Sequence, residues 1–337
     1  MTILFLAHPE QDGSLSELAL QTLTSTKRIA EALATDFTVG LIGGDLQKAA
    51  DTLATCGSTK FLAVEGEDFN SSRYATDVPA ITALIKESAA DLVFAPASIR
   101  FKRALPGAAF RVGGSVDSQV TALNVKDGSL EIERWYYRQR IKGTLSRSSK
   151  PWCLLIDSGC DTEWSGESGQ AVVQKLTVTI NDLKTKVIGV EDPSGDARTI
   201  RPEAKLLFVA GAGWTKKQND PANDTKKASE FILDFLDKTK ASLGSSKSLV
   251  DQSEEGAAVL PFLSHLNQIG QTGSTPHHQK GLATCCHGEE PHVVGWRFIN
   301  ERRAINTNES CSWAHGKTDV LYVADAFKVI EELNKIL

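Results

Sequence analysis

The chain has 337 residues, a length that suits two domains of ordinary size. Its apolar content of 41% and charged content of 23% are those of a soluble globular protein, and its net charge of -5 excludes the basic footprint that nucleic-acid binding requires. No apolar run approaches the roughly 20 residues that span a bilayer. The N-terminus resembles neither a signal peptide nor a transit peptide, so we expect a cytoplasmic protein.

Short apolar runs alternate with helical patterns in the first hundred residues. Strands are predicted at residues 3–7, 37–42, 61–64 and 91–95, and helices at 18–33, 47–56 and 78–89. Because strand–helix–strand units join parallel strands, this alternation predicts a doubly wound α/β sheet with helices on both faces.

The pattern changes after Gly114. Strands are predicted at residues 120–125, 130–134, 152–157 and 172–180, without long helices between them, and Asp127-Gly128 has the sequence of a hairpin turn. Residues 191–198, with Pro193 and Gly195, indicate a linker. We therefore predict an N-terminal domain of residues 1–190 and a C-terminal domain of residues 191–337.

The second domain opens with an apolar strand at residues 205–210 that runs directly into Gly211 and Gly213. Glycines at the end of a strand let backbone N–H groups approach a phosphate, although two such glycines are more often only a turn. A helix is predicted from about residue 226 to 243, because Phe231, Ile232, Phe235 and Leu236 fall on one face.

A polar, glycine-rich stretch covers residues 269–292 and is poor in residues that could form a core. Such a segment is either a solvated loop or the wall of a ligand site. Gln271 and Thr272, flanked by Gly270 and Gly273, lie where backbone and short side chains could contact a planar polar ligand.

The same stretch contains residues that could ligate a metal: His277, His278, Cys285, Cys286, His287 and His292. Zinc ligands usually form two pairs separated by two to four residues, whereas these are adjacent pairs, whose side chains point opposite ways in an extended chain. No C-x-x-C pair and no G-x-S-x-G motif occurs. We favour structural, metal-free roles for Cys285 and Cys286.

Five segments of the second half resemble the alpha subunit of the electron transfer flavoproteins. Gly270-Gln-Thr-Gly273 matches that family's G-Q-T-G flavin loop, and residues 282–292 align without a gap to its I-A-V-G-I-S-G-A-I-Q-H segment, keeping Gly288 and His292. Ala304-Ile-Asn306 matches its A-I-N, residues 324–330 match its terminal A-D-L-F-K-V-V, and residues 246–251 match its S-R-x-x-V-D. Residues 103–106 and 114–123 resemble it more loosely.

The resemblance implies two doubly wound domains, an N-terminal one of the adenine-nucleotide hydrolase-like kind that has lost its own nucleotide site, and a C-terminal one that binds FAD. It implies that Thr272 and Gln271 contact the N5 region of the flavin, that His292 lies near the N1–C2=O edge and Lys247 beside the ring, and that Asn306 and Asp325 line the adenosine half. The full expected set of cofactor-binding residues is Gly211, Gly213, Ser246, Lys247, Gly270, Gln271, Thr272, His287, Gly288, His292, Asn306 and Asp325.

The implied function is electron carriage without substrate turnover by this chain. As an alpha subunit it would pair with a beta subunit that holds AMP, accept electrons from a flavin-dependent dehydrogenase, and pass them to a membrane quinone oxidoreductase. Two departures matter: the family's G-G-R-G loop is Ala210-Gly-Ala-Gly213 here, and Lys247 replaces an arginine. They leave open a flavin-free structural subunit, and the His/Cys stretch leaves open a metal-dependent hydrolase.

Overall fold

The computed structural model describes residues 1–137, 141–180, 183–189, 200–201, 204–215, 225–252, 260–270, 278–286, 296 and 299–337. The chain divides into two compact units, Met1–Val190 and Glu191–Leu337. The predicted linker at residues 191–198 lies outside the described residues.

The first unit contains a nine-stranded sheet in the order β9-β3-β2-β1-β4-β8-β5-β6-β7. Its strands are β1 (Ile3–Ala7), β2 (Phe37–Gly43), β3 (Lys60–Glu65), β4 (Leu92–Pro96), β5 (Ser115–Lys126), β6 (Ser129–Tyr136), β7 (Ile141–Leu145), β8 (Trp152–Ile156) and β9 (Val173–Lys175). Its helices are α1 (Glu17–Ala32), α2 (Gln47–Thr52), α3 (Glu67–Asn70), α4 (Tyr74–Ser88) and α5 (Ile99–Arg111).

Helices cover both faces of the parallel part of this sheet, as the sequence predicts. Every residue of β1 is buried, and successive side chains enter opposite cores: Ile3 and Phe5 pack on the α1 side, whereas Leu4 and Leu6 pack on the α4 and α5 side. Strands buried on both faces read as continuous apolar runs, which is why these strands could be located from the sequence.

The antiparallel part of the sheet begins at β5. Strands β5 and β6 pair antiparallel around Asp127 and Gly128, both of which have positive φ (50° and 73°), as a tight hairpin turn requires. Strand β7, which the sequence analysis did not predict, extends this hairpin antiparallel to β6.

The strand predicted at residues 172–180 is much shorter than expected. Only Val173–Lys175 pairs with β3, and the following alternation of apolar residues comes from Leu176, Val178 and Ile180 packing on the α4 and α5 side. An extended segment can therefore show the period of a strand because one side packs on a core, without forming a ladder.

The second unit contains a five-stranded, entirely parallel sheet in the order β11-β10-β12-β13-β14. Its strands are β10 (Leu206–Ala210), β11 (Ser242–Ser245), β12 (Lys280–Thr284), β13 (Glu301–Asn306) and β14 (Val320–Val323), and its helices include α6 (Thr225–Thr239), α7 (Lys247–Asp251), α8 (Ser312–Lys317) and α9 (Ala326–Ile336). Phe208 packs with α6 and α9 on one face, and Leu207 packs with Trp296 and Trp313 on the other. The second unit is thus doubly wound, as predicted.

The helix predicted to reach residue 243 ends at Thr239, and Leu243 belongs to β11. Lys240 has a left-handed conformation, with φ 54°, which separates the helix from the strand. Since no glycine marks this helix end, the usual sequence signal for termination is missing.

Among the helices that the structure describes, none is long and apolar enough to cross a membrane.

Candidate functional site

The five-stranded sheet changes winding direction between β10 and β12. In chain order the strands lie 2-1-3-4-5, so the connections leave the neighbouring strands β10 and β12 in opposite directions. In open doubly wound sheets, ligands bind in the crevice at such a point, outside the carboxyl ends of the strands. The carboxyl edge of this sheet is therefore where a ligand site is expected.

The described residues of the predicted flavin site lie at that edge. Each one is at or just beyond the end of a strand: Gly211 and Gly213 after β10, Ser246 and Lys247 after β11, Asn306 at the end of β13, and Asp325 after β14. Because all five strands are parallel, these ends share one edge of the sheet. The structure thus brings together residues that are up to 114 positions apart in the sequence (211 to 325).

Gly270 also reaches this edge. The preceding Ile269 donates its N–H to the carbonyl of Ser245 at 3.1 Å, and Gln268 forms a bridge with Ser245. Gly270 has a φ of 77°, a conformation that glycine adopts without strain. The remaining predicted residues, Gln271, Thr272, His287, Gly288 and His292, lie outside the described residues.

The glycines after β10 use their backbone donors inside the protein. The N–H of Gly211 donates to the Thr284 carbonyl at 2.8 Å, and that of Gly213 donates to the Cys285 carbonyl at 2.9 Å. The predicted use of these N–H groups for a phosphate therefore does not fit this geometry. What Gly211 provides is a close approach of two backbone segments, since a Cβ at this position would lie 2.5 Å from the Cys285 oxygen.

A buried hydrogen-bond chain supports the same loop. Trp214 donates through Nε1 to Thr284 Oγ1 at 2.8 Å, and Thr284 donates to the Val209 carbonyl at 2.9 Å. The indole also packs on Phe327 of α9, with ring centroids 4.4 Å apart. No sequence pattern marks these supporting residues, because only the fold places the end of β12 beside β10.

Helix α7 carries a small charged cluster at the edge. Ser246 is buried and caps the helix, accepting from the Leu249 N–H at 3.3 Å. Lys247 has 67% of its side chain exposed and lies 3.8 Å from Asp251, which is also 3.8 Å from His265 Nδ1. Asp251 and His265 were not among the predicted site residues, although the matched motif ends at Asp251.

Asn306 and Asp325 have structural contacts at this edge. Asn306 Nδ2 donates to the Cys286 carbonyl at 3.4 Å, and Trp313 Nε1 donates to the same oxygen at 3.0 Å. Asp325 caps α9, accepting from the Phe327 N–H at 2.9 Å. These bonds fix the chain just after β12 and the start of α9.

Cys285 and Cys286 are buried cysteines outside any disulfide, just beyond the end of β12, and Cys285 has a φ of 56°. Among the residues that the structure describes, no three His, Cys, Asp or Glu side chains are grouped as metal ligands would be. Three of the proposed ligands, His277, His287 and His292, lie outside those residues. The metal-free roles of the cysteines stay a prediction.

These features define a doubly wound α/β protein whose second unit has the change of winding direction at which such sheets bind ligands. The chain belongs to the electron transfer flavoprotein family, since the model of the electron transfer flavoprotein domain matches residues 3–181. The resemblance found in the sequence is confirmed, and members of this family carry electrons on a flavin without turning over a substrate.

Curated relatives align along almost the whole chain, at low identity. Protein FixB from Clostridium saccharobutylicum is 23% identical, over 97% of this chain and 92% of its own. The electron transfer flavoprotein subunit alpha of Clostridium acetobutylicum is 24% identical, over 96% and 93%. That of Pseudomonas aeruginosa is also 24% identical, over 99% of both chains. These alignments include the second unit, which the family model does not reach.

Proposed function

We propose that this chain is the alpha subunit of a heterodimeric electron transfer flavoprotein and binds FAD at the carboxyl edge of the five-stranded sheet. The observation that carries the proposal is that the matched positions at the ends of β10, β11, β13 and β14, scattered in sequence, share the carboxyl edge of a sheet whose winding direction changes between β10 and β12. The flavin supplies the redox chemistry, and the chain holds and orients it.

The residues present fit such a cofactor. Gly211 removes the side chain that would otherwise separate the ends of β10 and β12. Asn306 and Asp325 mark the far side of the edge, a span that suits a dinucleotide better than FMN. Lys247 offers a cation beside the end of β11, where negative charge on a reduced ring would be favoured.

The first unit supports placing the complex's AMP in a beta partner. At the change of winding direction between β1 and β4, His8 Nε2 lies 3.2 Å from Oγ of Ser98, which caps α5. Burial and the nearby Arg100 guanidinium lower the pKa of His8 to about 4, so the imidazole is neutral at pH 7. The Ser98 hydroxyl accepts a hydrogen bond from the Phe101 N–H, so one of the donors that a phosphate would use at the start of α5 is already occupied.

In this proposal a flavin-dependent dehydrogenase reduces the bound cofactor, and a membrane quinone oxidoreductase accepts the electrons. The relatives named as alpha subunits support the pairing with a beta subunit.

Reductive titration tests whether the matched residues tune the flavin. His292→Ala is expected to lower the first reduction potential by on the order of 60–130 mV, because a charged donor near N1–C2=O stabilises the reduced ring by about 1.5–3 kcal/mol. Lys247→Ala should lower it by only about 10–40 mV, since an exposed charge contributes about 0.2–1 kcal/mol. The Lys247 side chain is two-thirds exposed, and the nearby Asp251 carboxylate partly neutralises its charge.

Lys280→Ala is the matched control. Lys280 is exposed and begins β12 at the opposite edge of the sheet. A five-residue strand spans about 16 Å, roughly two Debye lengths at physiological salt, so this variant should keep the wild-type potential. Wild-type potentials in both His292→Ala and Lys247→Ala, with flavin still bound, would contradict the assigned site.

A further inference from the structure

Ser245, the last residue of β11, has a buried hydroxyl without a hydrogen-bond partner among the described residues. The residue is 0% exposed. A neutral hydroxyl that is buried and unpaired is unfavourable, and such groups are rare in native proteins. The missing hydrogen-bond partner of this hydroxyl therefore requires an explanation.

The other serines of the same segment are partnered. Ser242, at the start of β11, accepts from the Arg201 N–H at 2.7 Å, and Ser246 caps α7. Three other buried polar atoms of the described chain lack a partner: Arg134 Nε, Arg302 Nε and Asn334 Oδ1. Each of these three side chains makes a hydrogen bond through another of its polar atoms. Ser245 has only one polar side-chain atom.

The location of Ser245 connects it to the flavin edge. It pairs with Ala210, which directly precedes Gly211, and it directly precedes Ser246 and Lys247. Its carbonyl accepts from Ile269, next to Gly270 of the matched flavin loop. Ser245 thus lies where three segments of the predicted site meet.

We propose that the Ser245 hydroxyl hydrogen-bonds a polar atom of the bound flavin nucleotide, an assignment that rests on the proposed function. It was not among the residues matched to the family. A hydroxyl that is unpaired in the ligand-free protein destabilises that form, and its hydrogen bond to the ligand increases the affinity. The two consequences have opposite signs, which distinguishes this role from a purely structural one.

The test is Ser245→Ala in the full-length chain, purified with whatever subunit accompanies it. In the flavin-depleted protein the thermal midpoint should rise by about 2–4 °C, because the unpaired polar group is gone. The dissociation constant of FAD, measured by flavin fluorescence, should increase about threefold to tenfold.

Ser242→Ala is the control, because it removes a partnered hydroxyl from the opposite end of β11. It should lower the thermal midpoint and leave the FAD dissociation constant unchanged. If Ser245→Ala binds FAD as tightly as the wild-type protein, or if it lowers the midpoint of the flavin-depleted form, the inference is overturned. A wild-type protein that binds no flavin would instead overturn the proposed function itself.

Discussion

Replacing Gly211 by alanine is expected to abolish flavin retention and to lower the stability of the second unit. The new Cβ would lie 2.5 Å from the Cys285 oxygen and 2.6 Å from the Cys286 nitrogen, both backbone atoms that no rotamer change can move. The ends of β10 and β12 must then separate, which breaks the hydrogen bonds from Gly211 to Thr284 and from Gly213 to Cys285. Overpacking of this kind costs about 1–3 kcal/mol.

The measurements are the flavin-to-protein absorbance ratio and the denaturant midpoint. Gly316→Ala is the matched control, since Gly316 lies in α8 with no heavy atom within 4 Å of an added Cβ. In a helix, alanine is favoured over glycine, so this variant should keep its flavin and unfold at the same or a slightly higher denaturant concentration. A Gly211→Ala protein with full flavin content and wild-type stability would show that the strand ends do not approach as described.

Replacing Asp117 by asparagine is expected to lower the free energy of unfolding of the first unit by about 1.5–3 kcal/mol, since its arginine partners are partly exposed. Asp117 is buried and accepts hydrogen bonds from Arg134 at 2.6 Å, from Arg147 at 3.0 Å and from Trp152 Nε1 at 2.8 Å. It thereby joins the hairpin of β5 and β6 to the parallel strand β8. The neutral amide would leave two arginines without their counter-ion.

The pH dependence provides a second check. Burial opposes the charge on Asp117, but the hydrogen bonds from Arg147, Trp152 and Arg134 outweigh it and hold the pKa of the carboxyl below its usual range. The carboxylate therefore stabilises the fold above the unfolded-state pKa, and this contribution is lost as the pH falls through the folded-state pKa. The difference in the free energy of unfolding between wild type and Asp117→Asn should be largest at pH 7 and should shrink at strongly acid pH.

Glu133→Gln serves as the comparison, because it removes a more exposed carboxylate paired with Lys142 on the same hairpin. Such a pair contributes about 0–1 kcal/mol. Urea unfolding followed by tryptophan fluorescence measures both variants. Equal midpoints for Asp117→Asn and Glu133→Gln would mean that the buried Asp117 carboxylate does not hold the hairpin to the sheet.

The sequence predicts best what depends on local patterns. Continuous apolar runs locate β1 and β4, because strands buried on both faces need apolar residues throughout. The Asp127-Gly128 turn is visible for a similar reason, since few residue pairs accept two positive φ angles. The predicted end of α6 was wrong because Lys240, rather than a glycine, adopts the left-handed conformation that ends the helix.

Long-range contacts could not be predicted. No pattern near Asp117 in the sequence predicts that Arg134, Arg147 and Trp152 are its partners. The candidate site shows the same division: the family motifs located Gly211 and Asn306, but the use of the glycine N–H groups by β12 became visible only in the fold. The unpaired hydroxyl of Ser245 has no sequence signature at all.

The identity of the released cofactor is the decisive measurement for the proposed function. The full-length chain is purified with its co-expressed partner subunit, denatured by heat, and the supernatant is separated by chromatography beside FAD, FMN and AMP standards. We expect one FAD for each copy of this chain, and AMP in an amount equal to that of the partner subunit. Release of FMN, or of no flavin from a folded complex, would contradict a dinucleotide held at the carboxyl edge of the five-stranded sheet.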